Sequence, residues 1–486
     1  MAKALEAISK FMWGTPLLVI ILFTGMFFTF ATGFFQFRYF GHIMKQTFGK
    51  LTKKDDEKGE GLLSSFEAVS TAIGGSVGVG NIGGVATAIA VGGPGSVFWM
   101  WLCALLGILI KNVEVTLAVH YRMKDEQGNP YGGAPYYMER GLGEEKGIKG
   151  WSILSTLFTL GMLLPFLAPM QTYTISEAIS GTFNIPILAV AVTYVGFTYI
   201  IIWKGIAGVG KIASKVVPFM CLCYVLGGLF IIFKNASTIP ESFALIISGA
   251  FNGTAAAGGF AGAAFAKVIR IGIARSVYSN EAGWGSSPLI HSTARVDHPV
   301  KQGLWGSFEV FVDTIIVSTV TALIIIVTGA WQSGASGATL TLNAFESELG
   351  YVGRIVMTIG IFLFGLTTGT GWYTYLEMVL RHLFRKNVAM KIKVLTFFKR
   401  FYMVPGITMV FIAVTVGIPT GYMWYFADIA SALPTFVNVL VILLLSGKYF
   451  QLLKDYKARY LGIGQVDPEF CIFYEDQKNK TVKVHN

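Results

Sequence analysis

Long apolar runs alternate along this chain with short segments that carry nearly all of its charge. A helix needs about 20 predominantly apolar residues to cross the hydrocarbon core of a bilayer. The pattern therefore predicts an all-α polytopic membrane protein with eleven transmembrane helices, at 13–35, 62–91, 94–120, 151–179, 186–204, 208–234, 264–293, 303–331, 351–382, 402–417 and 421–447. The first run is too long for the core of a signal peptide and has no clear cleavage site, so it reads as a retained helix preceding a core of ten.

Loop charge orients the chain. Lys45, Lys50, Lys53 and Lys54 in 38–58, the basic stretch 122–149, Arg385, Lys386, Lys391, Lys393 and Lys399 in 381–400, and Lys448, Lys454, Lys457 and Arg459 in the tail fall on one side if eleven spans are correct. Positive loops mark the cytoplasm, so the N-terminus is expected outside and the C-terminus inside, in the cell membrane. The small-residue-rich segment 240–265, with Gly249, Gly253 and Ala255–Gly259, is expected to be an extracellular helix or hairpin. Counting it as a span would put the basic loop 381–400 outside. Lys267, Arg270 and Arg275 then lie in the outer half of the span 264–293, against the charge rule.

Two of the ten core spans are interrupted. In 74–84 six of eleven residues are glycine, each weakening a helix by about 1 kcal/mol relative to alanine. The span 264–293 contains Ser279-Asn280-Glu281-Ala282-Gly283-Trp284-Gly285-Ser286-Ser287-Pro288. Freed backbone groups at membrane depth are tolerated only where protein or a polar cavity satisfies them. Breaks in the first helix of each of two five-helix halves point to an inverted-repeat transporter with its binding site between the breaks. Close helix packing through small residues is the competing explanation for either break alone. The expected organisation is 1–61 as an extra N-terminal helix and cytoplasmic loop, 62–234 as the first repeat, 235–263 as an extracellular connector, 264–447 as the second repeat and 448–486 as a cytoplasmic tail.

Composition narrows the function. The 486 residues are 53% apolar and 13% charged, and the net charge of +11 resides in the basic loops, so it does not signal nucleic-acid binding. Cys103, Cys221, Cys223 and Cys471 have neither disulfide nor zinc spacing. There is no nucleotide loop, metal cluster or nucleophile–base constellation, so no enzyme, and no cofactor other than a coupling ion, is expected. The expected partners are a small solute, an ion and the lipid bilayer, without an obligate protein partner.

The segments GNIGGVATAIAVGGPGSVFWMW (80–101), EVTLAVHYR (114–122), GGFAGAAF (258–265), ARSVYSNEAGWGSSPLIHSTA (274–294) and VDTIIVSTVTAL (312–323) resemble the alanine or glycine:cation symporter family. The resemblance implies the leucine-transporter fold and sodium-driven uptake of a small neutral amino acid such as alanine or glycine. The stretch 74–82, and Phe364-Gly365-Leu366-Thr367-Thr368, are also similar to the bacterial neurotransmitter:sodium symporters. That likeness implies a sodium site made by the carbonyls of Gly74, Val77 and Phe364 and the hydroxyls of Thr367 and Thr368. Five neutral oxygens suit a hard monovalent cation.

The same resemblance implies where a zwitterion would bind. Backbone amides at Val79, Gly80 and Asn81 open the second half of the first core helix, where unpaired N–H groups favour a carboxylate. Asn81 can donate to that carboxylate or coordinate a cation. Gln171 offers a donor and an acceptor, or alternatively a helix–helix hydrogen bond. Asn280 offers a carbonyl to the ammonium. Trp372, one turn beyond Thr368, closes over the side chain or else anchors at the interface. The chain departs from the family's usual Thr at Val79, from Asn near Ala168 and Tyr173, and from Leu at Trp284. These departures keep a larger neutral substrate such as glutamine open as an alternative, and proton coupling as a variant. A cation channel with a glycine-rich filter is the alternative of another class.

Four further groups stand out. Glu114 is placed to pair with Lys111 at i, i+3. Asp313 at mid-span needs a partner or a proton, and Glu281 either binds a cation or caps the break. His291 is expected near the surface.

Overall fold

The computed structural model describes residues 2–50, 59–167, 169–252, 261–416 and 420–477. Lys53, Lys54, Ala168, Gly253 and Ala255–Gly259 lie outside the described residues. The helices are α1 (Ala2–Met12), α2 (Thr15–Ala31), α3 (Ser65–Ser76), α4 (Val85–Gly92), α5 (Ser96–His120), α6 (Trp151–Leu167), α7 (Met170–Phe183), α8 (Ile187–Ile202) and α9 (Gly205–Lys234). They continue as α10 (Ile239–Asn252), α11 (Ala261–Asn280), α12 (Pro299–Val310), α13 (Thr319–Val327), α14 (Gly337–Leu383), α15 (Val388–Phe401), α16 (Val404–Val416), α17 (Thr420–Leu444) and α18 (Ser446–Leu461). The strands among the described residues form one short antiparallel pair, Met123–Lys124 with Pro130–Tyr131.

Seven described helical runs are long and apolar enough to span a bilayer, and two further helix pairs qualify if each bent pair is one span. Large apolar side chains stay exposed on their outer faces, among them Ile153, Phe219, Phe230 and Val352. Such a surface is stable in hydrocarbon rather than in water.

Several boundaries differ from the sequence expectation. The span expected at 151–179 is one apolar run, Trp151–Phe183, but its helix is interrupted between α6 and α7 beside Pro169, because proline supplies no N–H to the helical ladder. Gly350 (φ 63°) is non-helical and divides α14 in two: the part after it matches the expected span 351–382, and the part from Gly337 is a helix within what was expected to be a loop. The basic segment 381–400 contains α15, and the tail contains α18, bent 62° from the preceding helix. The segment 240–265 begins as the single helix α10.

Packing gathers the interrupted helices. α5 packs along α11 and α12, while α3 lies against α9 and α14. Arg275, awkward on charge grounds, is only 8% exposed at its side chain because it forms an ion pair with Asp428 of α17. Ser9 and Trp13 hold Asp428 from the N-terminal segment. At the end of the bundle that carries the basic loops, Glu139 bonds to His382 (2.8 Å) and Arg385 (2.6 Å) at the end of α14.

Candidate functional site

α3 starts on a capping box. Ser64 accepts from the Glu67 amide (3.1 Å) and the Glu67 carboxylate accepts from the Ser64 amide (3.0 Å). It stops at Val77, whose backbone is extended (φ −72°, ψ 98°), and the chain resumes as a wide turn over Gly80–Gly84 before α4. The two halves are bent by 44°. Glycine is required here by close approach: a Cβ on Gly75 would strike the Tyr375 hydroxyl, and one on Gly78 the Thr368 hydroxyl.

The second break follows α11. Glu281 adopts φ 54°, and Gly283 and Gly285 adopt 88° and 80°. The next helical turn, Pro288–His291, resumes after Ser287. A non-glycine residue in the left-handed region is uncommon and marks a constrained position.

Buried hydrogen bonds occupy the asparagines at both breaks. Asn81 accepts from the Gly78 amide (3.0 Å) and donates to the Asp313 carboxylate (2.8 Å), the Asp313 carbonyl (3.1 Å) and Ser318 (3.1 Å). Ser279 and Thr314 donate to the other Asp313 oxygen at 2.7 and 2.8 Å. The partners expected for Asp313 are thus neutral donors from both breaks and from its own helix. Asn280 accepts from the Ala282 amide (2.9 Å) and donates to Ser276 (3.1 Å) and Thr314 (3.0 Å).

A second buried network stands behind Glu281. Lys111 of α5 donates to the Glu281 carbonyl and to Ser287, both at 2.8 Å, and lies 3.9 Å from Glu114 and 3.8 Å from Glu309. Glu114 also accepts from Asn438. The Glu281 carboxylate accepts from Ser286. His291 is fully buried rather than near the surface, bonded to Glu309 (2.9 Å) and Gln302 (2.7 Å). Glu309 was missed at the sequence level, although an acid inside an apolar span was the same signal that singled out Asp313.

A central cavity opens between the two breaks. Val79, Gly80, Gln171, Thr368 and Trp372 line it, as do Glu281 and Trp284. Asn81 and Asn280 do not line it, because their amides are drawn into the packing around Asp313 and Thr314. Tyr194, Tyr278 and Tyr402 also line the cavity. They were missed because aromatics in apolar helices carry no periodic signal that separates a cavity wall from a lipid face. The lining described contains one carboxylate, Glu281, and neither Lys nor Arg.

The residues expected to hold the cation lie beside this cavity, where α3 meets α14. The Thr368 hydroxyl donates to the Gly74 carbonyl (3.1 Å), and the Thr367 hydroxyl to the Phe364 carbonyl (2.9 Å). A Cβ on Gly74 would come within 3.1 Å of Thr367. Gly74, Phe364, Thr367 and Thr368 are therefore brought together. Val77 ends α3 with its amide on the Ile73 carbonyl (2.7 Å).

Comparison with known proteins follows the same lines. The profile of the sodium:alanine symporter family matches residues 1–468. An uncharacterized transporter of Haemophilus influenzae is 38% identical over 474 residues, covering 96% of this chain and 98% of the relative. The sodium/alanine symporter AgcS of Methanococcus maripaludis is 34% identical, covering 91% and 94%. The probable sodium/glutamine symporter GlnT of Bacillus subtilis is 35% identical, covering 98% and 93%. The crystal structure of MhsT in complex with L-phenylalanine superposes with a TM-score of 0.57 at 15% identity, covering 80% of this chain and 90% of that one. That likeness establishes the leucine-transporter fold.

Proposed function

The chain belongs to the sodium:alanine symporter family, and from that premise we propose that it imports a small neutral amino acid together with sodium, by alternating access. It is a multi-pass membrane transporter of the amino-acid:cation symport class, not an enzyme. Alanine and glycine are the first substrates to consider. GlnT, by its name a probable sodium/glutamine symporter, keeps a larger neutral amino acid as the second.

The observation that carries this reading is the cavity between two helix breaks, with one acid and no base among the described residues of its lining. Such a wall suits a net-neutral zwitterion. The carboxylate would sit at the amides that open the second half-helix, near Gly80, and the ammonium toward Glu281. Asn81 and Asn280 then act by holding the two breaks in place. Sodium would bind between α3 and α14 through oxygens of Gly74, Val77, Phe364, Thr367 and Thr368. The Thr368–Gly74 pair, which joins the two helices, supports that assignment.

One sodium ion suffices energetically. A unit charge moving down 100 mV releases about 2.3 kcal/mol, and a tenfold concentration gradient adds about 1.4 kcal/mol. Together they support roughly 500-fold accumulation of a neutral substrate.

We assign residues 62–234 and 264–447 as the two inverted repeats and the basic face as cytoplasmic, in the plasma membrane. A cation channel fits poorly: the two breaks differ in sequence and bound a single asymmetric cavity, whereas filters ring a central axis. Uptake of labelled alanine into proteoliposomes, with and without an inward sodium gradient, tests the reading. Gradient-dependent accumulation supports it. Uptake that follows pH and ignores sodium would favour the proton-coupled variant.

A further inference from the structure

Two buried polar groups in the cavity wall have no hydrogen-bond partner among the described residues. The indole Nε1 of Trp284 and the hydroxyl of Thr172 are buried and make no hydrogen bond among the described residues. Both residues line the central cavity, and they are only 2% and 1% exposed. They come from different elements: Thr172 from the first turn of α7, beside Gln171, and Trp284 from the break after α11. A buried donor left unpaired is costly, and the great majority of such groups in folded proteins have a partner.

The neighbouring polar groups differ. Tyr194 and Tyr402 line the same cavity, yet their hydroxyls donate to the carbonyls of Gly365 (2.9 Å) and Gly369 (2.7 Å). Thr368 donates to Gly74, and Glu281 accepts from Ser286. The unpaired pair is confined to Trp284 and Thr172 among these groups.

Trp284 is also rigidly held. Its ring packs edge-on against Trp372 at 5.2 Å and tilts against Tyr278 at 5.9 Å. Gly283 and Gly285, both at positive φ, let the chain reverse on either side of it. A fixed aromatic donor loses little conformational freedom when it meets a ligand.

We propose that Trp284 and Thr172 are specificity-determining residues that select a neutral amino acid whose side chain carries a hydroxyl or carboxamide. Trp284 donates to the side-chain oxygen, and Thr172 supplies a second polar partner. This rests on reading the cavity as the amino-acid site. The substrate's own carboxylate and ammonium are matched to Gly80 and Glu281, which leaves these two groups for the side chain. Alanine and glycine would leave both unpaired. A site that hydrogen-bonds a substrate group discriminates strongly against an analogue lacking it.

The test is competition against uptake of whichever labelled amino acid, serine, glutamine or alanine, the wild type accumulates best, by near-isosteric pairs: serine against 2-aminobutyrate, and glutamine against norleucine. The readout is the ratio of inhibition constants within each protein, which does not depend on how much active transporter each preparation contains. In the wild type the polar member of at least one pair is expected to compete about tenfold more strongly. Trp284→Phe, which keeps a ring and loses the N–H, should bring that ratio to about twofold or less, and Thr172→Val should lower it independently. A wild-type ratio near one for both pairs overturns the proposal. So does a large ratio that survives both substitutions. Absence of uptake of any amino acid by the wild type would instead overturn the transport reading beneath it.

Discussion

The hydroxyl of Thr368 donates to the carbonyl of Gly74 across 3.1 Å, joining α14 to the last turn of the first half-helix. It does so beside Gly78, where any side chain would occupy the space of that hydroxyl. The pair links the central cavity, which Thr368 lines, to the oxygens we propose for sodium.

Thr368→Ala should therefore raise the sodium concentration for half-maximal uptake by about tenfold or more, the scale of one lost ligand. Gly78→Ala should abolish uptake, since the new methyl displaces the same hydroxyl. Sodium titration of alanine uptake reads both. Unchanged sodium affinity in Thr368→Ala would remove the assigned ion site.

Lys111 is the cation held between Glu114 and Glu309, and all three side chains are fully buried. Lys111→Met should destabilise the protein by about 3–5 kcal/mol, because it leaves two carboxylates without their cation. Lys111→Met combined with Glu309→Gln should recover part of the loss. Thermal melting in detergent measures both. Equal melting temperatures for wild type and Lys111→Met would contradict the ion network.

Asn280→Ala removes an amide that accepts from Ala282 and donates to Ser276 and Thr314. Buried donors and acceptors are left unmet, at about 1–3 kcal/mol. Uptake and melting temperature should fall together. A fall in uptake at unchanged stability would indicate instead that Asn280 touches substrate.

The carboxyl of Glu139 lies in the basic-face segment between α5 and α6. Burial raises its pKa, but hydrogen bonds from His382 and Arg385 outweigh that effect and hold it at about 2. An unfolded Glu titrates near about 4.3. The folded value is depressed, so its stabilisation is fully present above the unfolded pKa and is lost as pH falls toward 2. The melting-temperature difference between wild type and Glu139→Gln should stay constant from pH 7 to about 5 and shrink below about 4.5. A difference that vanishes already by pH 5 would contradict the depressed value.

Much of this was legible in the chain because the physics is local. Six glycines in 74–84 weaken a helix at membrane depth, and the bend at Val77 follows, although Gly74, Gly75 and Gly80–Gly84 stay helical on either side of it. Glu281, Gly283 and Gly285 announce the second break for the same reason. Val79, Gly80, Thr368 and Trp372 line the cavity because they flank the first break or lie within one turn of the threonine pair, and Gln171, indicated by the family resemblance alone, lines it from α7. What was not legible depends on contacts between distant segments. Asn81 reads as a free amide until Asp313, from another helix, claims it. His291 reads as a span end until Glu309 and Gln302 bury it. Trp284 stands out in sequence only as a departure from the family's usual Leu, and Thr172 not at all; only the packing around them shows which polar atoms lack a partner among the described residues. The helix α15 within 381–400 was obscured because its lysines read as loop charge.

The most direct test of the central claim, that solute occupies the cavity between the breaks with the ion beside it, is thiol protection at Ser76, which lines that cavity. In a chain whose four cysteines are replaced by serine, Ser76→Cys should react with a membrane-impermeant thiol reagent. Sodium and alanine together should slow that reaction several-fold more than either alone. Equal labelling rates with and without both solutes, in protein that still transports, would contradict the account.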